Sequence, residues 1–113
     1  MSQKFQPDMR IRRGPDFKRI LSKGAKRQCR HFVLFLLQGV GDQVRMGVIA
    51  SRKFGNAVER NRAKRIIREI FRRNRCRMPA GAEVVVVVRH PMVGAEQKEI
   101  EKAFMDALEP GRR

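Results

Sequence analysis

Seven cations, Arg60, Arg62, Lys64, Arg65, Arg68, Arg72 and Arg73, fall within one stretch of fourteen residues whose only acid is Glu69. Such a run suits phosphate recognition, because a guanidinium is planar, stays charged and presents a fork of donors that grips two phosphate oxygens at once. At 100° per residue Asn61, Lys64, Arg65, Arg68 and Arg72 share one side of a helix, with Arg60 at the junction and Arg62 and Arg73 farther round. Ala63, Ile66, Ile67 and Ile70 share the adjoining side, with Phe71 at its margin, and form an apolar stripe that must meet a core. Like charges at i,i+4 repel by roughly 0.2–0.5 kcal/mol per pair. A face this cationic is a cost to the isolated helix that a polyanion removes.

Residue types that build active sites are scattered by comparison. His31 and His90 stand alone, Asp8, Asp16 and Asp42 do not cluster, and no Ser/His/Asp or Cys/His set can be assembled. Gly39-Val40-Gly41 and Gly55 lack the Lys-Ser/Thr that would complete a phosphate loop. Cys29 and Cys76 are far apart, with no His at metal-ligand spacing, and read as reduced thiols of a cytoplasmic protein. The expectation is no catalytic residue and no metal site, with any chemistry done elsewhere.

The elements that must position the cationic run follow from charge and periodicity. The 113 residues carry 27 Lys and Arg against 11 Asp and Glu, a formal +16, and their number suits one domain. Residues 1–30 hold ten basic and two acidic side chains, 31–51 one of each, 52–77 eleven and two, and 78–113 five and six. Two cationic blocks therefore flank an apolar segment, which points to nucleic acid as the partner. The longest apolar runs, Phe32 to Leu37 and Val84 to Val88, fall far below the ~20 residues that span a bilayer. Met1 to Arg13 has no apolar run or cleavage site, so neither membrane nor export is expected.

Gly14-Pro15-Asp16 followed by Phe17, Ile20 and Leu21 predicts a helix that Gly24 ends. His31 to Gln38 predicts a strand, with Val44 to Ala50 as its hairpin partner and room for a further strand around Arg45 to Arg52. Phe32, Leu34 and Leu36 face one way and Val33, Phe35 and Leu37 the other. Asn56 with Glu59 forms a capping pattern opening a helix from Ala57 to about Arg75. Glu83 to Arg89 predicts a buried strand, and Ala95 to Leu108 a last amphipathic helix whose acids, Glu96, Glu99, Glu101, Asp106 and Glu109, form a solvated outer face. The sum is a small α/β sandwich. A groove-reading DNA helix needs partner helices, whereas this one is embedded among strands. Phe5, Phe17, Phe32 and Phe35 near the first basic block could stack single-stranded bases, although burial is the default for each Phe. RNA is therefore favoured over DNA.

The segment Arg52-Lys53-Phe54-Gly55-Asn56-Ala57-Val58-Glu59-Arg60-Asn61-Arg62-Ala63-Lys64-Arg65-Ile66-Ile67-Arg68-Glu69-Ile70-Phe71-Arg72 closely resembles the RNR signature of the bacterial ribonuclease P protein subunit family. Arg12-Arg13-Gly14-Pro15-Asp16-Phe17, Arg30-His31-Phe32-Val33-Leu34-Phe35 and Met46-Gly47-Val48-Ile49-Ala50-Ser51 resemble the family's first helix, first central strand and the strand before the signature. The resemblance implies an α+β fold, a single-domain α/β sandwich of order αββ(β)αβα with a central mixed sheet. It also implies a left-handed βαβ crossover, an exception to the usual hand. Residues 1–113 would form the one domain, with 1–13 a basic, flexible N-terminal arm.

In function the resemblance implies a ribonucleoprotein endonuclease that removes the 5′ leader of precursor tRNA. Catalysis and most of the bound Mg²⁺ would belong to the RNA subunit, the protein alone being inactive. Contacts to that RNA would map onto Arg52, Lys53, Asn56, Arg60, Asn61, Arg62, Lys64, Arg65, Arg68 and Arg72. The cleft for the leader would map onto Arg12, Arg13, Phe17, Phe32 and Phe35. Phe35 stands where members of the family also carry Tyr, which keeps a stacking face without the phenolic hydrogen bond. The partners implied are ribonuclease P RNA and precursor tRNA in the cytoplasm, without DNA or membrane. An RNA-binding protein unconnected with catalysis and a stand-alone nuclease are the competing classes.

Overall fold

A computed structural model of the chain describes residues 11, 14–39 and 41–108; all of the expected arm at 1–13 except Ile11, together with Glu109, lies outside the described residues. The elements run α1 (Gly14–Lys23), β1 (Ala25–Gln28), β2 (Phe32–Gln38), β3 (Arg45–Ile49), α2 (Ala57–Asn74), β4 (Ala82–Val88) and α3 (Gln97–Leu108), with short 3-10 turns at Arg75–Arg77 and His90–Met92. This is the expected α+β class with a mixed sheet.

Local chemistry accounts for the helix ends. Pro15 sits in the first turn of α1, and Gly24 closes it by donating to the Ile20 carbonyl at 2.8 Å. A Cβ at Gly24 would lie 2.6 Å from that oxygen, so the turn leaves no room for a side chain. At α2 the Asn56 side chain accepts from Glu59 N at 2.8 Å, and Glu59 Oε1 accepts from Asn56 N at 2.9 Å. The reciprocal cap read from the spacing is formed. At the other end the buried Asn74 amide donates to the Ile70 carbonyl at 2.9 Å and to Glu101 of α3 at 2.8 Å, beside an Arg73–Glu101 ion pair of 2.7 Å. Asn74→Ala is expected to cost about 1–2 kcal/mol, read as a shift of the denaturant midpoint at unchanged slope.

Strand order is β1-β2-β4-β3, with β4 antiparallel to β2 and parallel to β3. The expected hairpin of β2 with β3 is thus corrected: β4 lies between them. Its valines are apolar on both faces, and only an interior position buries both. The loop after β2 crosses the start of β4, where Gly39 N donates to Gly81 O at 2.9 Å and Gly81 N to Asp42 O at 2.9 Å. Gly81 has φ +77°, and a Cβ there would lie 2.1 Å from the Gly41 carbonyl oxygen, so this crossing requires glycine twice over. The span Arg45 to Arg52 holds only β3, the strand expected at Val44 to Ala50, and the extra strand is β1, ahead of β2. Its sequence, Ala-Lys-Arg-Gln, has no apolar alternation and becomes a strand by pairing with Val33 to Leu36.

The sheet carries a core on each face. Phe32, Leu34, Met46, Val84, Val86 and Val88 pack beneath α2 and α3, against Ile67, Ile70, Phe71, Ile100 and Phe104. The Phe32 and Phe104 rings lie 6.3 Å apart at 57°. On the other face α1 covers a smaller cluster of Ile11, Ile20 and Val85. One acid assigned to a solvated face of α3 is also corrected: half-buried Glu101 holds the end of α2, whereas Glu99 is exposed as expected and meets Nε2 of buried His31 at 2.9 Å. His31 is thus not isolated, and helix–helix and helix–sheet docking supply partners that spacing along the chain does not reveal.

Candidate nucleic-acid interface

α2 presents its apolar stripe inward through Ala63, Ile67, Ile70 and Phe71, with the Asn74 amide buried at its end. Arg52, Lys53, Asn56, Asn61, Arg62 and Arg65 are exposed, while Arg60, Lys64, Arg68 and Arg72 are half-buried along the same helix. Arg60 folds back to the Gly55 carbonyl at 2.8 Å, and Arg72 pairs with Glu69. The expected signature residues therefore lie together on one helix and the turn before it. That turn is closed by Phe54 N donating to Ser51 O at 3.0 Å, which holds Arg52 and Lys53 outward.

The second candidate surface is the sheet face beneath α1. Strand register puts Lys26, Phe35, Val85 and Gly47 in one row and Gln28, Val33, Val87 and Ile49 in the next. The Phe17 ring lies over Gly47, where a Cβ would approach it to 2.6 Å. α1 thereby covers Val85 and Gly47 of the first row, whereas Phe35, Val33, Val87 and Ile49 stay only half-buried as an apolar floor. Beyond that floor the strand ends gather cations. Arg89 N donates to His31 O at 2.9 Å, and His90 Nδ1 lies 3.2 Å from the Phe54 carbonyl. Exposed Arg30, Arg89, Arg52 and Lys53 thus collect at one end of the sheet.

Of the residues assigned to a leader cleft, Phe17 and Phe35 meet here, both half-buried. Phe32 is corrected: fully buried on the opposite face against Phe104, it is a core residue and has no surface for a base. The alternation of β2 already places Phe32 and Phe35 on opposite faces, and only the position of α1 shows which face stays open. Arg12 and Arg13 lie outside the described residues. Lys26, Gln28, Arg30, Val33, Ile49, Val87 and Arg89 were not assigned from sequence, because strand order decides which residues share a face with Phe35.

An ion-pair cluster holds α1 at this height. Buried Glu83 of β4 accepts from Arg19 at 2.8 Å and Arg45 at 3.0 Å, and Asp16 lies 3.4 Å from Arg45 and 3.6 Å from Arg19. The hydrogen bond to Glu83 raises the Arg19 guanidinium pKa above its ordinary value; partial desolvation opposes this, and the charges of Glu83 and Asp16 add to it. A cation with a raised folded-state pKa contributes stability that is fully present below the unfolded value and lost only above it. The stability difference between wild type and Arg19→Gln is therefore expected to be equal at about pH 7 and about pH 10, by denaturant midpoints. Narrowing over that interval would mean Arg19 is not the group that holds the charge.

Among the described residues no three His, Cys, Asp or Glu side chains come together as a metal-binding group, and the Asp16–Glu83 carboxylates are occupied by guanidinia. Cys29 and Cys76 are unpaired thiols. No helix of the described residues is long and apolar enough to cross a membrane.

A cationic helix forming the crossover between two parallel strands, beside a half-open apolar sheet face, defines a small α+β protein shaped to meet a polyanion. The chain belongs to the ribonuclease P protein family, whose model, Ribonuclease P, matches residues 5–110. It is 39% identical over 89 residues to the ribonuclease P protein component of Thermotoga maritima, covering 79% of this chain and 76% of that protein. The solved RNase P protein of Thermotoga maritima superposes with a TM-score of 0.80 at 33% identity, over 88% of this chain and 94% of that one. The Staphylococcus aureus RNase P protein gives 0.79 at 33% identity, over 88% and 92%.

Proposed function

We propose that this chain is the protein subunit of a ribonuclease P that binds the catalytic RNA through α2 and its preceding turn and holds the 5′ leader of precursor tRNA on the open sheet face. The observation that carries this reading is the pairing of two unlike surfaces. One is a helix face rich in exposed arginine, suited to folded RNA phosphates; the other is an apolar floor with aromatic sides and a cationic rim, suited to single-stranded bases. Hydrolysis of the phosphodiester and most of the bound Mg²⁺ belong in this reading to the RNA subunit, in the cytoplasm. The protein's residues supply countercharge to crowded phosphates and extend the substrate contact past the tRNA body. Mg²⁺ held between RNA phosphates would supply the activated water and stabilise the leaving oxygen.

Reconstitution on precursor tRNA tests this. The protein with the RNA subunit should cleave at Mg²⁺ concentrations where the RNA alone is slow, and the protein alone should not cleave. Cleavage without RNA would make it a stand-alone nuclease, and absence of stimulation would leave a binding protein unconnected with this reaction. A finer prediction concerns Gly47. Gly47→Ala places a methyl against the Phe17 ring, which must move, so affinity for leader-bearing precursor should fall several-fold while affinity for the RNA subunit is unchanged. Competition binding with the two RNAs separates these effects.

A further inference from the structure

Beside the first turns of α2 lies a cavity of about 200 Å³, bordered by Arg62 of the cationic face and separate from the sheet floor. Phe54, Ile66, Met92 and Val93 form its apolar wall, and Glu59 and Arg62 are its ionisable lining. Phe54 and Met92 are buried and fixed, whereas Val93 is 39% exposed. The wall is held in place by the His90–Phe54 contact, and Gly94, at φ +80°, turns the chain toward α3. Pockets for drug-sized ligands run to ~300–1,000 Å³, so this one suits a single ring system.

The charges narrow the choice of ring. One oxygen of Glu59 is engaged by the Asn56 N–H of the cap, which fixes the carboxylate and leaves its second oxygen as an acceptor. A carboxylate repels phosphate but accepts readily from an exocyclic amine on a nucleobase. Arg62 is exposed and can hold a phosphate or stack on a base. The arrangement admits a base and keeps its phosphate outside.

We infer that this cavity receives one unpaired, amine-bearing nucleobase of the bound RNA subunit, its amine read by Glu59 and its adjoining phosphate held by Arg62. The inference rests on the RNA-binding reading of α2 and names a base-specific contact within it. Recognition of unpaired bases in apolar pockets is how proteins distinguish one RNA loop from another, since phosphates carry no sequence.

The test is chemical probing of the full-length protein bound to ribonuclease P RNA, with dimethyl sulfate for adenine and cytosine and kethoxal for guanine. Wild type should protect an unpaired base that Val93→Trp, filling the cavity from its exposed side, returns to full reactivity. The rest of the footprint and the salt slope should persist, with binding about tenfold weaker. Glu59→Gln keeps the capping pattern but not the carboxylate, and should expose the same base alone. If Val93→Trp loses the whole footprint by misfolding, Glu59→Gln decides: release of one base supports the inference, and no change overturns it. Identical footprints for wild type and Val93→Trp, or protection of sugar-phosphate positions without any base, overturn the pocket and leave RNA binding standing. No footprint with wild type overturns the RNA-binding reading and the pocket with it.

Discussion

Replacing Arg62 and Arg65 together by alanine is expected to weaken binding to ribonuclease P RNA by about a hundredfold or more and to flatten its salt dependence by at most about two log–log units. Both side chains are exposed, and neither lies on the buried side of α2. Hydrogen bonds to charged groups are worth about 1.5–3 kcal/mol each, and each cation that no longer displaces a counterion removes up to ~0.9 of slope. The fold itself should change little, because relief of the i,i+3 repulsions Arg62–Arg65 and Arg65–Arg68 offsets the lost attraction to Glu59 and Glu69, each worth only about 0.2–0.5 kcal/mol. Filter binding across a salt series, with a denaturation midpoint measured on the same variant, separates the two effects. An unchanged slope would take this face out of the RNA interface.

The second large effect is expected at Phe17. Phe17→Ala should reduce affinity for leader-bearing precursor by about 1–3 kcal/mol, the range for one base stacked on an aromatic ring, while binding of mature tRNA is retained. Phe17 also touches the small core beneath α1, so part of the aromatic contact is structural. Phe35→Leu supplies the control. It preserves an apolar floor beside Val33 and Val85 but removes the flat ring, so a loss confined to leader-bearing substrate identifies stacking. Equal losses for precursor and mature tRNA in both variants would instead report a disturbed fold.

α2 was legible before any coordinates because its information is local. The Asn56/Glu59 cap, the Ala63 to Phe71 stripe and the arginine face each depend on residues within a few turns of one another, and each is formed as the spacing predicts. The proposed leader cleft was legible only in part. Phe17 and Phe35 meet on the open face, yet Phe32, equally apolar and three positions from Phe35, is sealed beneath α3. β1 escaped notice because four mostly polar residues carry no strand signal of their own. Its pairing with β2 supplies one.

The sequence by itself determined the cationic helix, the two apolar faces of β2 and the buried valine strand, since all follow from residue type and short-range period. Its match to the RNR signature also identified the family, which the comparisons bear out. Tertiary structure decided what long-range pairing controls: β4 lies between β2 and β3, Glu83 ties α1 across the sheet through Arg19 and Arg45, and one row of side chains stays uncovered. The physical reason is that a strand's period tells which residues share a face but not what lies over it. The choice between core and binding surface is made by a helix docking from elsewhere in the chain.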